Sequence, residues 1–308
     1  MNKKYMKKII KPLTPQREAK KLASAFATDI KLYLKREDLH PYGSHKGRSI
    51  PHMIETYVQN GITNFCISSS GNAALAAALY IKKYNTKHKS SRLTLTIFLG
   101  KNINKEKLAI LENLDETTIH IEKTDNPKQS AFKMDKASLA KNLRQSTDDT
   151  ALVGYADLAH ELSTIKNLQA IFIPTSSGTT AEGLYKSFTH MGLKPQIHVV
   201  QTTSCHPIAQ AFAPTITQLQ SPTETSLAGA IVDKIVFRKN NVLQAVKKSK
   251  GNTWICTNAE IKQAIKIIKK TENIDISANS ALSVAALSQA IKNNWDCTGA
   301  AVCLITGR

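Results

Sequence analysis

Short apolar runs alternate with stretches of helical spacing along almost the whole chain. Runs of about 4–8 apolar residues bounded by glycine, proline or polar residues are typical of buried strands, whereas apolar positions three and four apart are typical of helices. This pattern predicts strands over residues 31–34, 63–68, 93–99, 117–121, 168–174, 196–201, 234–237, 253–256 and 300–305. It predicts helices from residue 44 onward and over residues 71–83, 104–114, 127–145, 178–191, 240–248, 258–270 and 277–293.

Strands that alternate with helices in this way indicate an α/β protein with parallel sheets. A chain of 308 residues is long enough for one large or two medium domains. We predict a smaller, mobile domain over residues 51–148, and a larger domain formed by residues 1–50 together with 149–308. The stretch 206–227 is rich in Pro, Thr and Gln, so we expect it to be irregular with one short helix.

The composition is that of an ordinary globular protein, with 42% hydrophobic and 21% charged residues. No apolar run approaches the ~20 residues needed to cross a bilayer. The basic N-terminus lacks the apolar core and cleavage site of a secretion signal, so we expect a cytoplasmic protein. The five cysteines are scattered and no histidine pair has metal-ligand spacing, so we expect buried reduced thiols and no metal site.

The formal net charge of +19 raises the question of nucleic-acid binding. The excess is mostly lysine spread over predicted helix faces, and aromatic residues make up only 6% of the chain. Nucleic-acid modules usually combine basic patches with exposed aromatic residues. We therefore interpret the charge as a solvated lysine-rich surface that favours anionic ligands by steering.

Lys46 is the first candidate for chemistry. It follows a predicted strand and a turn containing Pro41 and Gly43, and Ser44 is placed to cap the next helix. There the helix dipole and the cations Arg36 and Arg48 would favour a neutral amine, which is a nucleophile suited to a carbonyl cofactor. On this stretch alone, a solvated helix lysine is an equally good interpretation.

Two further junctions between a strand and a helix carry loops of small polar residues. Residues 68–74 read Ser-Ser-Ser-Gly-Asn-Ala-Ala, a loop whose amide and hydroxyl donors suit a carboxylate. Residues 175–183 read Thr-Ser-Ser-Gly-Thr-Thr-Ala-Glu-Gly, a loop suited to a phosphate. The second loop lacks the lysine of a nucleotide P-loop, and either loop could simply cap a helix.

The order of these segments resembles that of the fold-type II pyridoxal-phosphate enzymes, a group that includes threonine synthase, threonine dehydratase, cysteine synthase and the β chain of tryptophan synthase. Residues 34–48 resemble the cofactor-lysine segment, 70–74 the Ser-Gly-Asn loop, and 176–183 the phosphate loop. Residues 225–230 resemble the segment beside the cofactor ring, and 304–307 resemble the last strand. The resemblance implies a two-domain, three-layer α/β/α fold like that of the tryptophan synthase β chain, with pyridoxal phosphate in the cleft between the domains.

The same resemblance implies roles for individual residues. Lys46 would hold the cofactor as a Schiff base and then remove the substrate's α-proton. Asn72 would bind the phenolic oxygen of the cofactor, and Thr306 would meet its ring nitrogen as a neutral hydroxyl. The remaining members of the implied site are the phosphate-binding residues Ser176, Ser177, Gly178, Thr179 and Thr180, the ring-contacting Gly229, and the substrate-binding residues His45, Ser69, Ser70 and Gly71.

Some positions depart from the family pattern. Ser176 and Thr179 stand where relatives similar to cysteine synthase carry glycine, so their hydroxyls are expected to replace close backbone approach. His45 stands where relatives similar to threonine synthase carry phenylalanine, and a His-Lys pair resembles the tryptophan synthase β chain instead. The sequence stops at Arg308, so substrate contacts from a longer C-terminal tail and a regulatory domain are expected to be missing.

The resemblance therefore implies a lyase that acts on a small amino acid by β- or γ-elimination or replacement. A reaction like that of threonine synthase, converting O-phosphohomoserine to threonine, is our first expectation. A threonine or serine dehydratase and a β-replacement enzyme similar to cysteine synthase are alternatives. A non-catalytic cofactor-binding or RNA-associated protein is the alternative of another class. We expect a homodimer without specific nucleic-acid or membrane partners.

Overall fold

The computed structural model describes residues 13–101, 103, 105–213 and 225–307. The strands in these ranges are β1 Gln16–Glu18, β2 Lys31–Arg36, β3 Asn64–Ser68, β4 Thr94–Gly100, β5 Ile119–Thr124, β6 Lys141–Asn142, β7 Leu168–Pro174, β8 Gln196–Thr202, β9 Thr253–Cys256 and β10 Ala300–Ile305. The helices are α1 Lys20–Ala25, α2 Lys46–Gln59, α3 Asn72–Lys87, α4 Lys105–Glu112, α5 Pro127–Lys136, α6 Thr150–Val153, α7 Ala156–Ser163, α8 Thr179–His190, α9 Pro207–Phe212, α10 Lys239–Lys248, α11 Asn258–Glu272 and α12 Ala278–Lys292.

The larger sheet has the strand order β1-β2-β10-β7-β8-β9, and every pair in it is parallel except β1 with β2. β10 lies between β2 and β7, and all six of its residues are buried. Its alternate side chains enter two hydrophobic cores, one formed with α1, α11 and α12 and the other with α7, α8 and α10. Because both faces of the sheet are covered by helices, β10 reads as an uninterrupted apolar run.

The smaller sheet has the order β5-β4-β3-β6 and is entirely parallel. Residues of α2, α3 and α4 pack on one of its faces, and Ala131 of α5 packs with Cys66 and Phe98 on the other. Each sheet is thus the middle layer of an α/β/α sandwich, which confirms the predicted fold class. The strands of the smaller sheet fall within residues 51–148, whereas the exact domain boundaries and the mobility of this part stay predictions.

Two predicted elements are wrong. The helix predicted over residues 127–145 ends at Lys136, because Ser138 adopts a positive φ of 55° and the chain then joins the smaller sheet as β6. Residues 234–237 form no strand, and Ile235 and Phe237 are exposed. Their apolar side chains lie at the rim of a cavity rather than in a sheet. Part of the predicted irregular stretch 206–227 lies outside the described residues, and the rest of it includes α9.

A buried group of four charged side chains joins β2, the start of α2 and α7. Arg48 contacts both oxygens of Glu37, with its Nε 2.9 Å from Oε2 and its Nη2 2.8 Å from Oε1, and its Nη1 lies 2.6 Å from Oε1 of Glu161. Lys35 is fully buried and pairs with the other oxygen of Glu161. Burial alone would raise the pKa of Glu161, but Arg48 and Lys35 outweigh it and hold this pKa below its usual value. Two buried cations, one of them two residues after Lys46, are therefore matched by two buried anions.

No helix in the described ranges is long and apolar enough to cross a membrane.

We expect the substitution Glu161→Gln to lower the free energy of unfolding by about 3–5 kcal/mol, because it leaves two buried cations with a single carboxylate. Urea unfolding followed by circular dichroism would measure this loss. Glu18→Gln removes an exposed carboxylate from β1 and should change the free energy by less than about 0.5 kcal/mol. Equal effects of the two substitutions would show that the buried charges do not support the fold.

Candidate active site

A cavity of about 1070 Å³ lies between the two sheets, at the carboxyl ends of their parallel strands. Its wall includes the last residues of β3, β4 and β7 and the residue that follows β10. Ligands of α/β proteins usually bind at such strand ends. All the residues that the sequence proposed for the site line this one cavity, namely His45, Lys46, Ser69, Ser70, Gly71, Asn72, Ser176, Ser177, Gly178, Thr179, Thr180, Gly229 and Thr306.

Lys46 is half-buried on the cavity wall and is the first residue of α2. The turn before it needs Gly43, whose φ is +79°, a conformation that other residues rarely adopt. The residue at the start of the helix is His45 rather than Ser44, although the backbone N–H of Lys46 lies 3.2 Å from the hydroxyl of Ser44. The lysine is therefore held by a fixed turn and projects from a helix start.

The two arginines expected to act on Lys46 are both compensated. Arg36 makes a two-point contact with Asp38, with N–O distances of 2.8 and 2.7 Å. Arg48 is enclosed by Glu37 and Glu161, as described above. The sequence could not show this pairing, because Glu161 is more than a hundred residues away. Neither arginine therefore presents an unpaired charge to Lys46, and the reactivity of this lysine stays a prediction.

His45 ties the lysine turn to the end of β10. Its backbone N–H and its ring atom Nδ1 lie 2.9 and 2.8 Å from the carbonyl oxygen of Thr306. Burial and the neighbouring charge of Lys46 lower the pKa of His45 to about 3. The ring is therefore neutral near pH 7, and Nδ1 must carry the proton because a carbonyl can only accept it. The ring is fixed in one tautomer, with the other nitrogen, Nε2, available as an acceptor.

Gly307 lies where the lysine turn, the last strand and α3 meet. A Cβ atom at this position would lie 2.5 Å from Nδ2 of Asn72 and 2.9 Å from Cβ of Ser44, so a larger residue would displace one of them. Ser44 and Gly307 also form an isolated β-bridge. No role for Gly307 was predicted from the sequence. A glycine two residues after the apolar run of β10 was the signal for such a close approach.

Thr306 is 4% exposed and directs its side chain toward the start of α12. Ser280 Oγ lies 3.4 Å from Thr306 Oγ1, and it also donates to the carbonyl of Gly307 at 2.8 Å. Because the serine's single proton is used there, Thr306 must be the donor in this pair, and its hydroxyl would have to turn away from Ser280 to serve an acceptor in the cavity. Sequence reasoning missed Ser280, whose only signal was the Ser277-x-x-Ser280 spacing at a helix start.

The loop between β3 and α3 presents a set of backbone donors to the cavity. In the described part of the chain, no acceptor is found for the backbone N–H groups of Ser69, Ser70, Asn72, Ala73 and Ala74. Gly71 donates to the hydroxyl of Ser69 at 3.3 Å, and a Cβ at Gly71 would meet nothing within 4 Å. Free N–H groups at a helix start that face open space form a site for an anion.

The loop between β7 and α8 is a second site of the same kind. Within the described ranges, the backbone N–H groups from Ser176 to Ala181 have no acceptor. Gly178 makes this arrangement possible, since its φ is +86° and a Cβ there would lie 2.6 Å from Val242. The helix dipole of α8 adds to these donors, so this loop also favours an anion.

The hydroxyl groups of the second loop form hydrogen bonds that stabilise the loop itself. Ser176 donates to Asp233 at 2.9 Å, and Thr179 donates to the carbonyl of Gln145 at 3.2 Å. Ser177 lies 2.9 Å from Thr179 Oγ1 and must be the donor there, because the proton of Thr179 is already used. The hydroxyls of Ser176 and Thr179 are therefore not free to replace backbone donors, contrary to the expectation from the sequence.

Arg238 connects this loop to the segment that leaves the smaller sheet. Its guanidinium lies 3.1 Å from Glu182 of α8, 2.8 Å from Asp149, and 3.0 and 2.8 Å from the carbonyl oxygens of Gln145 and Asp148. Arg238 and Glu182 are buried, so their contact is shielded from solvent, whereas the side chain of Asp149 is 76% exposed. The arginine therefore fixes the cavity wall on both sides of the second loop.

The described residues contain no group of three or more His, Cys, Asp or Glu side chains that could hold a metal ion. The five cysteines are unpaired, and burial raises the pKa of Cys66 to about 12. None of these cysteines lines the cavity that contains Lys46.

Known proteins are similar to this chain over most of its length, not only at the cavity. The chain is 25% identical to a threonine synthase of Methanosarcina acetivorans over 279 residues, which are 85% of this chain and 65% of that protein. It is 24% identical to a threonine synthase of Mycobacterium tuberculosis over 289 residues, covering 91% and 77%. An L-serine dehydratase/L-threonine deaminase of Bos taurus is 34% identical over 107 residues, covering 33% of this chain and 32% of that one. The chain thus spans less than two thirds of the length of the Methanosarcina relative.

Solved structures share the fold. Maize serine racemase superposes with a TM-score of 0.80 at 17% identity, covering 96% of this chain and 87% of that one. The processed form of threonine deaminase isoform 2 from Solanum lycopersicum gives a TM-score of 0.77 at 19% identity, with 96% and 78% covered. The model of one family, described as pyridoxal-phosphate dependent enzyme, matches residues 11–307. The chain, with its cavity lysine and its two loops of free amides, therefore belongs to the pyridoxal-phosphate-dependent enzymes of fold type II, as the sequence predicted.

Proposed function

We propose that this protein is a lyase that acts on a small amino acid by β- or γ-elimination or replacement, with the conversion of O-phosphohomoserine to threonine as its reaction. The observation that supports it is the position of Lys46 on a cavity wall that also carries two separate sets of free backbone donors. One set suits the phosphate of the cofactor and the other suits the carboxylate of an amino acid. The curated relatives named threonine synthase favour this member of the family.

The residues around the cavity fit pyridoxal phosphate. Lys46 offers a primary amine for its aldehyde, and the amides of residues 176–180 offer donors for its phosphate. All three of Asn72, Gly229 and Thr306 line the cavity. We assign Asn72 to the phenolic oxygen, Gly229 to the ring, and Thr306 to the ring nitrogen, to which it would donate after turning from Ser280. When bound, the cofactor supplies an electron sink for the bond broken at the substrate's α-carbon.

The chain's own residues then bind and deprotonate the substrate. The amides of Ser69 and Ser70, with Asn72 to Ala74 behind them, hold the α-carboxylate. Lys46 would remove the α-proton as general base. Thr306 is a neutral hydroxyl, so it can donate to the ring nitrogen but cannot protonate it fully, which favours elimination and replacement over transamination.

His45 completes the substrate side of the cavity. Its Nδ1–H is used by Thr306, so only Nε2 can serve the substrate, as an acceptor for a hydroxyl or ammonium group. In the proposed reaction, the substrate loses its phosphate from the γ-carbon and gains water at the β-carbon. The products are threonine and inorganic phosphate, so the atoms balance.

Threonine or serine dehydration is the second candidate, favoured by the 34% identity to the bovine dehydratase over 107 residues. In that reaction, water leaves from the β-carbon, and a second water molecule then hydrolyses the resulting imine to an oxo acid and ammonia. The cytoplasm is the proposed compartment, in agreement with five unpaired cysteines. A homodimer is the proposed assembly.

A substrate screen separates these activities. The protein loaded with pyridoxal phosphate is incubated in turn with O-phosphohomoserine, threonine, serine and O-acetylserine, and release of phosphate, oxo acid or acetate is assayed. We expect phosphate release and threonine formation from the first compound. Oxo acid from threonine or serine alone would identify a dehydratase, and absence of turnover together with salt-sensitive RNA binding would contradict an enzymatic function.

Lys46→Ala should abolish turnover and the visible absorbance of the lysine-bound cofactor, because it removes the amine that forms this bond. Absorbance spectra before and after borohydride reduction would measure the bond. Lys128→Ala is the control, because Lys128 also lines the cavity and its side chain is 73% exposed. This variant should keep the absorbance. If Lys46→Ala retained the absorbance and Lys128→Ala lost it, the assignment of the nucleophile would be wrong.

Gly178→Ala should weaken pyridoxal phosphate binding by about 10–100-fold, because a Cβ that meets Val242 shifts the amides that bind the phosphate. Titration of the apoprotein with the cofactor measures this affinity. Gly192→Ala is the matched control, since Gly192 also has a positive φ of 74° but a Cβ there meets nothing within 4 Å. The control should share the backbone strain and bind the cofactor normally; equal losses in both variants would trace the effect to strain alone.

A further inference from the structure

Arg144 is a cavity residue that the sequence analysis did not assign. It lies two residues after β6, where the chain leaves the smaller sheet and passes along the cavity wall. Its guanidinium carbon lies 4.8 Å from the centre of the Phe237 ring, and its Nε lies 3.3 Å from the hydroxyl of Ser146. The next residue, Gln145, is fixed through its carbonyl by Arg238. The guanidinium is therefore held by a ring contact and a hydrogen bond on a fixed backbone.

The charge of Arg144 is not compensated by the protein. Among the described residues no carboxylate pairs with Arg144, whereas Arg36, Arg48 and Arg238 each hold a carboxylate oxygen within 2.8 Å. Within the described ranges, its guanidinium makes one hydrogen bond, to Ser146, so four of its five N–H donors have no partner there. A planar cation with unused donors on a cavity wall is suited to an anion.

The carboxylates that line the same cavity already have ion-pair or hydrogen-bond partners. Asp125 pairs with Lys101 at 2.9 Å. Asp233 accepts the hydroxyl of Ser176 at 2.9 Å and lies 3.4 Å from Lys128. Neither of them can neutralise Arg144 without giving up a partner. The cavity thus keeps a net positive charge that a ligand would have to balance.

Arg144 belongs to a different segment of the chain from the two sets of backbone donors. It follows β6, whereas the amides of residues 69–74 follow β3 and those of residues 176–181 follow β7. Its guanidinium lies over the ring of Phe237, which is 60% exposed. The cavity therefore offers three places for negative charge, and the cofactor phosphate and the substrate α-carboxylate account for only two.

We propose that Arg144 binds an anionic group on the side chain of the amino-acid substrate and so selects amino acids with a phosphate or another oxyanion in that position over neutral ones. This inference rests on the proposed function, because it assumes that an amino acid occupies the cavity. The stacked guanidinium meets the oxyanion with two parallel N–H groups. A lysine at this position would keep the charge but lose the paired geometry.

The test compares the wild type, Arg144→Gln and Arg144→Lys, each loaded with pyridoxal phosphate. kcat and KM are measured for anionic amino acids, O-phosphohomoserine and O-phosphoserine, and for neutral ones, serine and threonine. We expect Arg144→Gln to lower kcat/KM for the anionic pair by about 10–100-fold, mainly through KM, with changes below about threefold for the neutral pair. Arg144→Lys should fall between the wild type and Arg144→Gln.

Arg17→Gln is the matched control, since it removes an exposed arginine charge from β1, at the edge of the larger sheet. It should leave both pairs of substrates unchanged. Equal losses for anionic and neutral substrates in Arg144→Gln would overturn the inference. Weaker cofactor binding in this variant would overturn it as well, by placing Arg144 on the cofactor phosphate.

The same data distinguish this inference from the proposed function. A wild type that turns over amino acids but shows no preference affected by Arg144→Gln contradicts the inference alone. A wild type that binds the cofactor and turns over none of the four amino acids contradicts the proposed function, and the inference with it. Turnover with a preference for the anionic pair that depends on Arg144 supports both.

Discussion

The contact between His45 and Thr306 is the constraint on which the site depends. Two donors from one residue converge on a single carbonyl, and this joins the turn that carries Lys46 to the end of the central strand β10. Gly307 extends the junction, because its missing side chain lets Asn72 and Ser44 approach the same strand. Three elements that are far apart in the sequence thereby bring an amine, an amide and a hydroxyl to one cavity. Parallel strands make this possible, since their carboxyl ends share one edge.

Two buried arginines fix the framework around this junction. Arg48 lies behind the lysine turn and binds Glu37 and Glu161, while Arg238 lies beside the second loop and binds Glu182 and Asp149. Buried ion pairs contribute little net stability compared with apolar packing, but they are costly to break. Here the ion pairs fix the positions of the segments around the cavity, because each arginine connects segments from different parts of the chain. Arg144 differs from both, since its charge faces the cavity without a carboxylate.

The alternation of apolar runs was sufficient to predict most of the fold, and the strands over residues 168–174, 253–256 and 300–305 were predicted with their observed bounds. Buried parallel strands give a strong signal because both of their faces are apolar. β6 was missed because it has two residues and depends on pairing with β3, and residues 234–237 were misassigned because apolar residues at a cavity rim resemble a strand. The loops of the site were recognisable from local spacing. The roles of Gly307, Ser280 and Arg238 depend on distant partners, which a sequence alone does not reveal.

The central claim is that Lys46 is the residue that holds the cofactor. Its most direct test is peptide mapping by mass spectrometry after borohydride reduction of the protein loaded with pyridoxal phosphate. Lys128 and Lys234 also line the cavity, so the experiment has real competitors. We predict a single phosphopyridoxyl group on the peptide that contains Lys46. A label on either competing lysine, or on no lysine of the cavity, would contradict the account.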